Sequence, residues 1–337
     1  MHAQVLASTE GMSHIEWLKM RRKGIGGSDV AAIAGLSKYK SPMQVYLEKI
    51  GEWELSEEQS EAAYWGTIME DVIAEQFTIY YKQETGQDIK VKRKNSMLRH
   101  PRYPFMIANL DRVIIGENAG LECKTASEWF RDKWDGESIP DEYMLQCQHY
   151  IEVCGFDYMY IAVLIGGNKF KWKRIDRDQE IIDYIIKIES DFWQMVESRT
   201  PPEIDGSIAS TNVLKVLYPE SVRGSVIDLP DEAKYLIQQY EAYAEEEKMA
   251  ALKKEEAANK LKEILADNEV GIVGDRKVSW KSVSQFDEEA FKQAHPDLYQ
   301  QFTVPQFDAK AFQKANKKLY EQFKKPGYRR FTIGVVK

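Results

Sequence analysis

Residues 109–125 are the stretch that most constrains how this chain can fold. They read N-L-D-R-V-I-I-G-E-N-A-G-L-E-C-K-T, so two short, largely apolar segments flank a turn rich in glycine and asparagine. This pattern predicts a β-hairpin with strands at 110–115 and 121–125 and a turn at 116–120. Two adjacent strands of a sheet are therefore expected near the middle of the first 220 residues.

The predicted hairpin brings two carboxylates and one ammonium group together. Side chains alternate between faces along a strand, so Glu122 and Lys124 share a face, and Asp111 can lie opposite Glu122. Carboxylate oxygens are ligands of Mg²⁺ and Mn²⁺, which also bind phosphate oxygens. A lysine beside them can position a water molecule or offset phosphate charge. The pattern indicates phosphodiester hydrolysis, although an ordinary surface hairpin can carry the same residues.

Composition limits the classes of protein that fit. The 337 residues are 43% hydrophobic and 30% charged, enough for one large domain or two modest ones with real cores. No apolar run approaches the roughly 20 residues of a membrane helix, and the first residues lack a signal-peptide pattern, so we expect a cytoplasmic protein. Cys123, Cys147 and Cys154 form no C-x-x-C pair, which argues against zinc, iron–sulfur and disulfide sites.

The charge distribution allows local contact with DNA. The net charge of −8 and the pI near 5.4 are not typical of a protein that coats nucleic acid. Basic residues nevertheless cluster at 21–23, 90–102 and 169–174, and local patches matter more than the total charge. The alternative for each cluster is a solvated surface, and for the third both interpretations stay open.

Residues 21–29, R-R-K-G-I-G-G-S-D, suggest an anion site. The three glycines before Ser28 and Asp29 predict a bend with free N–H groups ahead of an apolar helix from Val30. Arg21 or Arg22 would add a bidentate grip on phosphate. A plain glycine turn with a capping serine is the alternative, and no Walker A lysine follows.

The remaining pattern predicts an α+β (α/β-like) fold with a mixed central β-sheet flanked by helices. Glu70 lies on one predicted helix, and Gln146 and Tyr150 share a face of another. The predicted helices are 13–20, one from Pro42, 62–81, 140–155 and 178–199, and the predicted strands are 90–97, 158–165 and 170–175.

The C-terminal third predicts a separate, mainly helical region with a small β-element. Domains are expected at 1–205 and 231–337, joined by a loop-rich linker at 206–230. The second domain should contain a long polar helix at 231–267, a hairpin at 270–273 and 277–283, and a last strand at 328–336. Residues 286–302 and 307–323 repeat one pattern, F-D-x-x-A-F-x-x-A-x-x-x-L-Y-x-Q-F, which predicts two tandem short helices, each capped by aspartate.

Five motifs occur in order across the first 155 residues. They are Arg21 with Gly26-Gly27-Ser28-Asp29, Gly66-x-x-x-Glu70, Asp111, Glu122-x-Lys124 and Gln146-x-x-x-Tyr150.

Together these motifs resemble the YqaJ-like viral recombinase family over about residues 10–200. That family includes the phage lambda-type exonucleases and belongs to the PD-(D/E)XK nuclease superfamily. The segment 278–331, which begins with V-S-W-K and ends with R-R-F, is similar to the C-terminal extension of longer bacterial-prophage members. The superfamily's proline before the aspartate is absent here, where Asn109-Leu110 stand.

The resemblance implies a restriction-endonuclease-like core with Mg²⁺, or Mn²⁺, at Asp111, Glu122 and the backbone carbonyl of Cys123. Lys124 would then serve the attacking water, and Glu70 would act near the metals.

The resemblance also assigns two supporting sites. Gln146 would orient the water or the lysine, with Tyr150 as the tyrosine of its motif. Arg21 and Ser28, beside Asp29, would hold a 5′ phosphate, with Arg22 as the alternative arginine.

The implied activity is degradation of one strand of linear double-stranded DNA from its 5′ end. The 3′ overhang would pass to a single-strand annealing protein. Relatives often form toroidal trimers, but the C-terminal extension has no counterpart in the short lambda-type enzyme, so a trimer is one of several possible homo-oligomers. An endonuclease of the same superfamily and a non-catalytic adaptor for DNA ends or the annealing protein are the alternatives.

Overall fold

The structure is a computed structural model that describes residues 3–56, 60–282, 287–301 and 309–322. The chain divides into two units, Met1–Tyr218 and Pro219–Lys337. In the described residues, no helix combines the length and the apolar character needed to cross a bilayer.

The predicted α+β fold with mixed β-structure flanked by helices is confirmed, but the first unit contains two mixed β-sheets rather than one central sheet. One sheet has the strand order β1-β4-β5-β2 and the other has the order β3-β6-β7-β8-β9. The strands are β1 Gln4–Ser8, β2 Ile25–Gly26, β3 Val91–Arg93, β4 Ser96–Arg99, β5 Met106–Asn109, β6 Arg112–Ile114, β7 Ala119–Ala126, β8 Tyr158–Ile165 and β9 Lys169–Asp176.

Helices cover these sheets. Ser13 and Glu16 form a capping box at the start of the first helix, and Pro42 occupies the first position of the third. The helices are α1 His14–Arg21, α2 Gly27–Ile33, α3 Pro42–Ile50, α4 Glu61–Thr85, a 3₁₀ helix at Glu128–Trp134, α5 Asp141–Cys154, α6 Gln179–Ser198 and α7 Ile208–Leu217.

The second sheet is buried on both faces. On one face, Ile161 and Val163 of β8 pack in a core with Ile151 of α5. On the other face, Leu121 of β7 packs with Phe77 of α4. Apolar side chains removed from water on both sides fix the position of β7 between two helices.

The predicted hairpin is confirmed, with shifted ends. β6 and β7 are antiparallel, with Arg112 opposite Leu121, whereas β7 and β8 are parallel. The first strand does not include Asp111, because the Cys123 N–H donates to the Asp111 side chain (2.8 Å) instead of continuing the ladder. Asp111 therefore lies where the chain passes from β5 in one sheet to β6 in the other.

Two other predicted boundaries are wrong. The strand predicted at 90–97 is two strands, β3 and β4, one in each sheet, separated where the Ser96 N–H donates to the Lys94 carbonyl (2.8 Å). The predicted linker contains α7, whose buried Val213 joins the core around α3. The first unit therefore extends beyond residue 205.

The second unit contains the predicted long helix and hairpin. The repeat folds as two short helices per copy rather than one, because Pro296 begins a new helix in the first copy. The Asp287 side chain caps the first of them by accepting from the Ala290 N–H (2.8 Å). The predicted strand at 328–336 lies outside the described residues. The elements are α8 Glu232–Leu265, β10 Val270–Val273, β11 Arg276–Ser279, α9 Glu288–Ala294, α10 Pro296–Gln301, α11 Ala309–Ala315 and α12 Lys317–Gln322.

Candidate active site

Glu122, Lys124 and Gln146 form a closed polar triangle on one face of β7. The Glu122 side chain is buried, and its Oε1 atom lies 2.7 Å from Lys124 Nζ and accepts from Gln146 Nε2 at 2.6 Å. Lys124 Nζ also donates to Gln146 Oε1 (3.0 Å), and Gln146 Nε2 donates to the Tyr150 hydroxyl (3.3 Å). The structure thus brings together four of the side chains that the sequence singles out.

Asp111 adds a second carboxylate to this triangle. Burial raises the pKa of Asp111 well above its usual value, and the negative charges of Glu122 and Glu70 raise it further. Burial also raises the pKa of Glu122, although Lys124 opposes that shift. Two buried acidic groups whose pKa values are both raised favour a bound cation, which would offset their charge.

The oxygens around Asp111 suit a hard divalent cation. Glu122 Oε2 is buried and has no hydrogen-bond partner among the described residues. The Cys123 N–H faces Asp111, and the carbonyl of a strand residue points to the same edge as its N–H. These carboxylate and carbonyl oxygens are the donor type that Mg²⁺ and Mn²⁺ prefer.

A cation at this place would need main-chain oxygens and water as ligands in addition to side chains. In the part of the chain that the structure describes, no three or more His, Cys, Asp and Glu side chains are grouped as a metal site. The Cys123 thiol does not join the carboxylates, because it packs with the apolar core on the opposite face of β7. Burial raises the pKa of this thiol, which keeps it protonated.

Glu70 reaches the site from α4 through an arginine that the sequence analysis did not single out. Its Oε1 accepts from Arg112 Nη1 (2.6 Å), and the same nitrogen donates to the Asp111 carbonyl (2.5 Å). The second guanidinium nitrogen of Arg112 bonds to Asp71. The buried Arg112 therefore connects Glu70 to the backbone of Asp111. Glu70 and Asp111 line one cavity of about 550 Å³.

The predicted anion site is built around Arg21. Arg21 Nη2 donates to the Ser28 hydroxyl (2.8 Å) and lies 3.0 Å from Asp29 Oδ1. Asp29 is fully buried and also accepts from Lys49 Nζ (2.7 Å). Burial alone would raise the pKa of Asp29, but Arg21, Lys49 and Lys40 hold it well below the usual value. Several cations thus surround one buried anion.

Arg22 does not take part in this cluster. It donates to the Trp53 carbonyl (2.7 Å), so the structure places Arg21 rather than Arg22 on Ser28. The predicted helix start at Val30 is wrong, because α2 begins at Gly27 and Asp29 closes its first turn by accepting from the Gly26 N–H (3.1 Å).

The cluster around Arg21 and the cluster of Glu122, Lys124 and Gln146 are neighbours. A Cβ atom added to Gly27 would lie 2.7 Å from Cε1 of Tyr150 and 3.0 Å from Cγ of Gln146. Only a residue without a side chain allows this approach. The first turn of α2, with Ser28, therefore packs directly against the face of α5 that supports Lys124.

Known proteins resemble the chain in sequence and in structure. A family model described as YqaJ-like viral recombinase domain matches residues 16–157. The uncharacterized protein YqaJ of Bacillus subtilis (strain 168) is 44% identical over 304 residues, which cover 89% of this chain and 93% of that protein.

Two solved structures also match. An alkaline exonuclease (LHK-Exo) from Laribacter hongkongensis has 20% identity and a TM-score of 0.45, covering 55% of this chain and 94% of its own. A phage related exonuclease from Haemophilus somnus 129PT has 13% identity and a TM-score of 0.40, covering 52% and 94%.

Proposed function

Because the chain belongs to the YqaJ-like viral recombinase family, we propose that it is a divalent-metal-dependent DNA exonuclease. In this proposal it degrades one strand of linear duplex DNA from the 5′ end and leaves a 3′ overhang. The observation that carries the proposal is the buried Glu122 carboxylate, whose Oε2 lacks a partner among the described residues while Asp111 and Lys124 lie beside it. Such an arrangement costs stability unless it serves a bound cation.

Asp111, Glu122 and the Cys123 carbonyl would hold Mg²⁺ or Mn²⁺. When bound, the cation supplies positive charge to the phosphate and lowers the pKa of a water molecule. Glu70, held by Arg112, places a further carboxylate at the cavity that contains Asp111. It can accept a proton or a hydrogen bond from water on that side.

Lys124 acts as a fixed cation in this proposal. Burial alone would lower its pKa, but Glu122 and Asp111 raise the pKa above the usual lysine value, so Lys124 is protonated at neutral pH. A protonated lysine can donate to the attacking water and to a phosphate oxygen, and it does not act as the base. Gln146 holds the ammonium group and the Glu122 carboxylate in register, since it bonds to both.

The 5′ end would be recognised at Arg21 and Ser28. A terminal phosphate carries more negative charge than an internal phosphodiester, so it gains more from the cations around Asp29. Because Gly27 packs against Gln146 and Tyr150, a phosphate held at Ser28 would lie close to the metal site. We further propose that the 3′ overhang passes to a single-strand annealing protein and that the enzyme acts as a homo-oligomer, for which a trimer is one arrangement.

Three DNA substrates test the proposed function. Linear duplex with a 5′ phosphate, linear duplex with a 5′ hydroxyl and a covalently closed circle are incubated in Mg²⁺ and in EDTA. We expect loss of linear DNA in Mg²⁺ only, faster with the 5′ phosphate, with release of label from the 5′ end first. Cutting of the circle would identify an endonuclease instead. If all three substrates survive while linear duplex is bound, the protein is an adaptor and the proposal is wrong.

A further inference from the structure

The loop that follows β7 contains the 3₁₀ helix Glu128–Trp134 and is held in place by several contacts. Its buried Trp134 stacks on Tyr143 with the ring centroids 5.5 Å apart. Lys171 Nζ and Lys173 Nζ each donate to the Trp134 carbonyl at 3.0 Å, and Lys169 Nζ pairs with Glu128 at 2.6 Å. The basic cluster predicted at 169–174 therefore anchors this loop.

The anchored loop presents aromatic rings to solvent. Trp129 is 93% exposed, and Tyr39, from the segment between α2 and α3, is 84% exposed. Lys38 Nζ and Lys133 Nζ lie 6.0 Å and 5.6 Å from the centroid of the Phe130 ring, so the two segments meet at Phe130. We name Lys38, Tyr39, Trp129, Phe130 and Lys133 the aromatic rim.

Large exposed aromatic rings on an anchored loop are typical of a binding surface. An indole that is almost fully exposed contributes little to the protein's own core, and its flat face remains available for stacking. Neither Lys38 nor Lys133 forms an ion pair with another described residue, whereas Glu128 and Asp135 are paired with Lys169 and Lys171. The free positive charges of the rim thus lie beside its rings, while two carboxylates of the loop are neutralised.

The aromatic rim lies beside the candidate active site. Tyr143, which stacks on Trp134, lies 5.0 Å from Lys124 Nζ when measured at the ring centroid. Lys40, which follows Tyr39 in the chain, lies 3.5 Å from Asp29 in the Arg21 cluster. The rim is therefore connected to both the proposed metal site and the proposed phosphate site.

We propose that the aromatic rim binds unpaired nucleotides of the DNA substrate by stacking their bases on Trp129 and Tyr39. Every base has a π face, whereas bases within a duplex are already stacked on their neighbours. Lys38 and Lys133 would neutralise the phosphates of the same strand. An enzyme that removes one strand of a duplex has to hold unpaired nucleotides near the cleaved bond. The identification of the ligand as DNA rests on the proposed function.

Binding of single-stranded DNA in EDTA tests this proposal. Fluorescence anisotropy of a labelled 20-nucleotide oligo(dT) is measured with the full chain and with Trp129→Ala and Tyr39→Ala. Each substitution should weaken binding about 5- to 150-fold, the effect of losing one base–aromatic stack. Tyr184→Ala removes an exposed ring on α6 and serves as the matched control, with unchanged affinity expected.

The outcomes separate this inference from the proposed function, because EDTA removes cleavage from the assay. Equal affinity of both rim variants and the full chain overturns the inference even if the protein degrades DNA. No binding of oligo(dT) by the full chain overturns it as well. Light scattering provides the last comparison: if Trp129→Ala changes the oligomeric state while oligo(dT) affinity holds, the rim is a contact between copies of this chain and the inference is wrong.

Discussion

Replacing Lys124 with methionine should destabilise the metal-free protein, because it leaves the buried Glu122 carboxylate without its cation. The Glu122 side chain is 4% exposed, and Lys124 Nζ lies 2.7 Å from Oε1. Glu122 Oε2 has no hydrogen-bond partner in the described chain, so only the neutral Gln146 amide would remain at this carboxylate. Removing one partner of a buried ion pair costs about 3–5 kcal/mol.

Protonation of Glu122 sets an upper limit on this loss. An ordinary glutamate has a pKa of about 4.3, so neutralising it at pH 7 costs about 3.7 kcal/mol at about 1.4 kcal/mol per pH unit. We therefore expect Lys124→Met to lose about 3 kcal/mol at pH 7, within that limit, and about 1.4 kcal/mol less at pH 6. The direction follows from linkage, because a carboxyl group whose pKa is higher in the folded than in the unfolded state makes the folded protein less stable as the pH rises.

Urea unfolding in EDTA at pH 7 and pH 6 measures this loss. Glu122→Gln combined with Lys124→Met should recover most of the stability, because no charge is left stranded. Lys187→Met, which breaks an exposed pair with Asp191, is the control and should leave the stability nearly unchanged. The reasoning fails if Lys124→Met loses under about 1 kcal/mol, or if the double variant is no more stable than the single one.

Three other predictions concern residues around this centre. Arg112→Lys keeps the charge but loses the guanidinium fork that joins Glu70 to the Asp111 backbone, so kcat should fall roughly tenfold in a nuclease assay; an unchanged kcat would contradict that role. Arg21→Lys should abolish the preference for a 5′ phosphate, measured as the ratio of rates on 5′-phosphate and 5′-hydroxyl duplex, whereas Arg22→Lys should leave the ratio intact. The His100 and Arg177 partners lower the pKa of Glu152 to about 2. The stabilisation by Glu152 is therefore present above the ordinary glutamate pKa and is lost as the pH falls towards 2. The difference in unfolding free energy between wild type and Glu152→Gln should become smaller over that pH range, and a constant difference in urea unfolding would refute the assignment.

The sequence predicts the hairpin and its shared face because strand alternation is a local property. The relation of Glu122 to Lys124 follows directly from it. The position of Asp111 between two sheets does not, since it depends on which strands pair across the whole first unit. A hydrogen bond from the Cys123 N–H to the Asp111 carboxylate replaces the next rung of the ladder, and the local pattern does not reveal this.

Buried polar residues are the other part that the sequence analysis could not resolve. Arg112 reads as an ordinary strand residue, and only the approach of α4 shows that it holds Glu70. The sequence places Asp29 beside Ser28, but it does not show that Lys49, 20 residues later, contacts Asp29 together with Arg21. Such contacts between distant segments produce no periodic signal in the sequence. A local signal for Arg112 is the Asp-Arg pair that it forms with Asp111 at the end of an apolar strand.

Cleavage of linear duplex DNA by Asp111→Asn tests the central claim most directly. The substitution keeps the shape and the bond to Cys123 but removes the charge that a divalent cation requires. Asp191→Asn, at an exposed position of α6, is the matched control. We expect Mg²⁺-dependent degradation by the wild type and the control and at least about a 100-fold loss in Asp111→Asn, with the fold intact by circular dichroism. Full activity of Asp111→Asn would show that phosphodiester hydrolysis does not take place at this site.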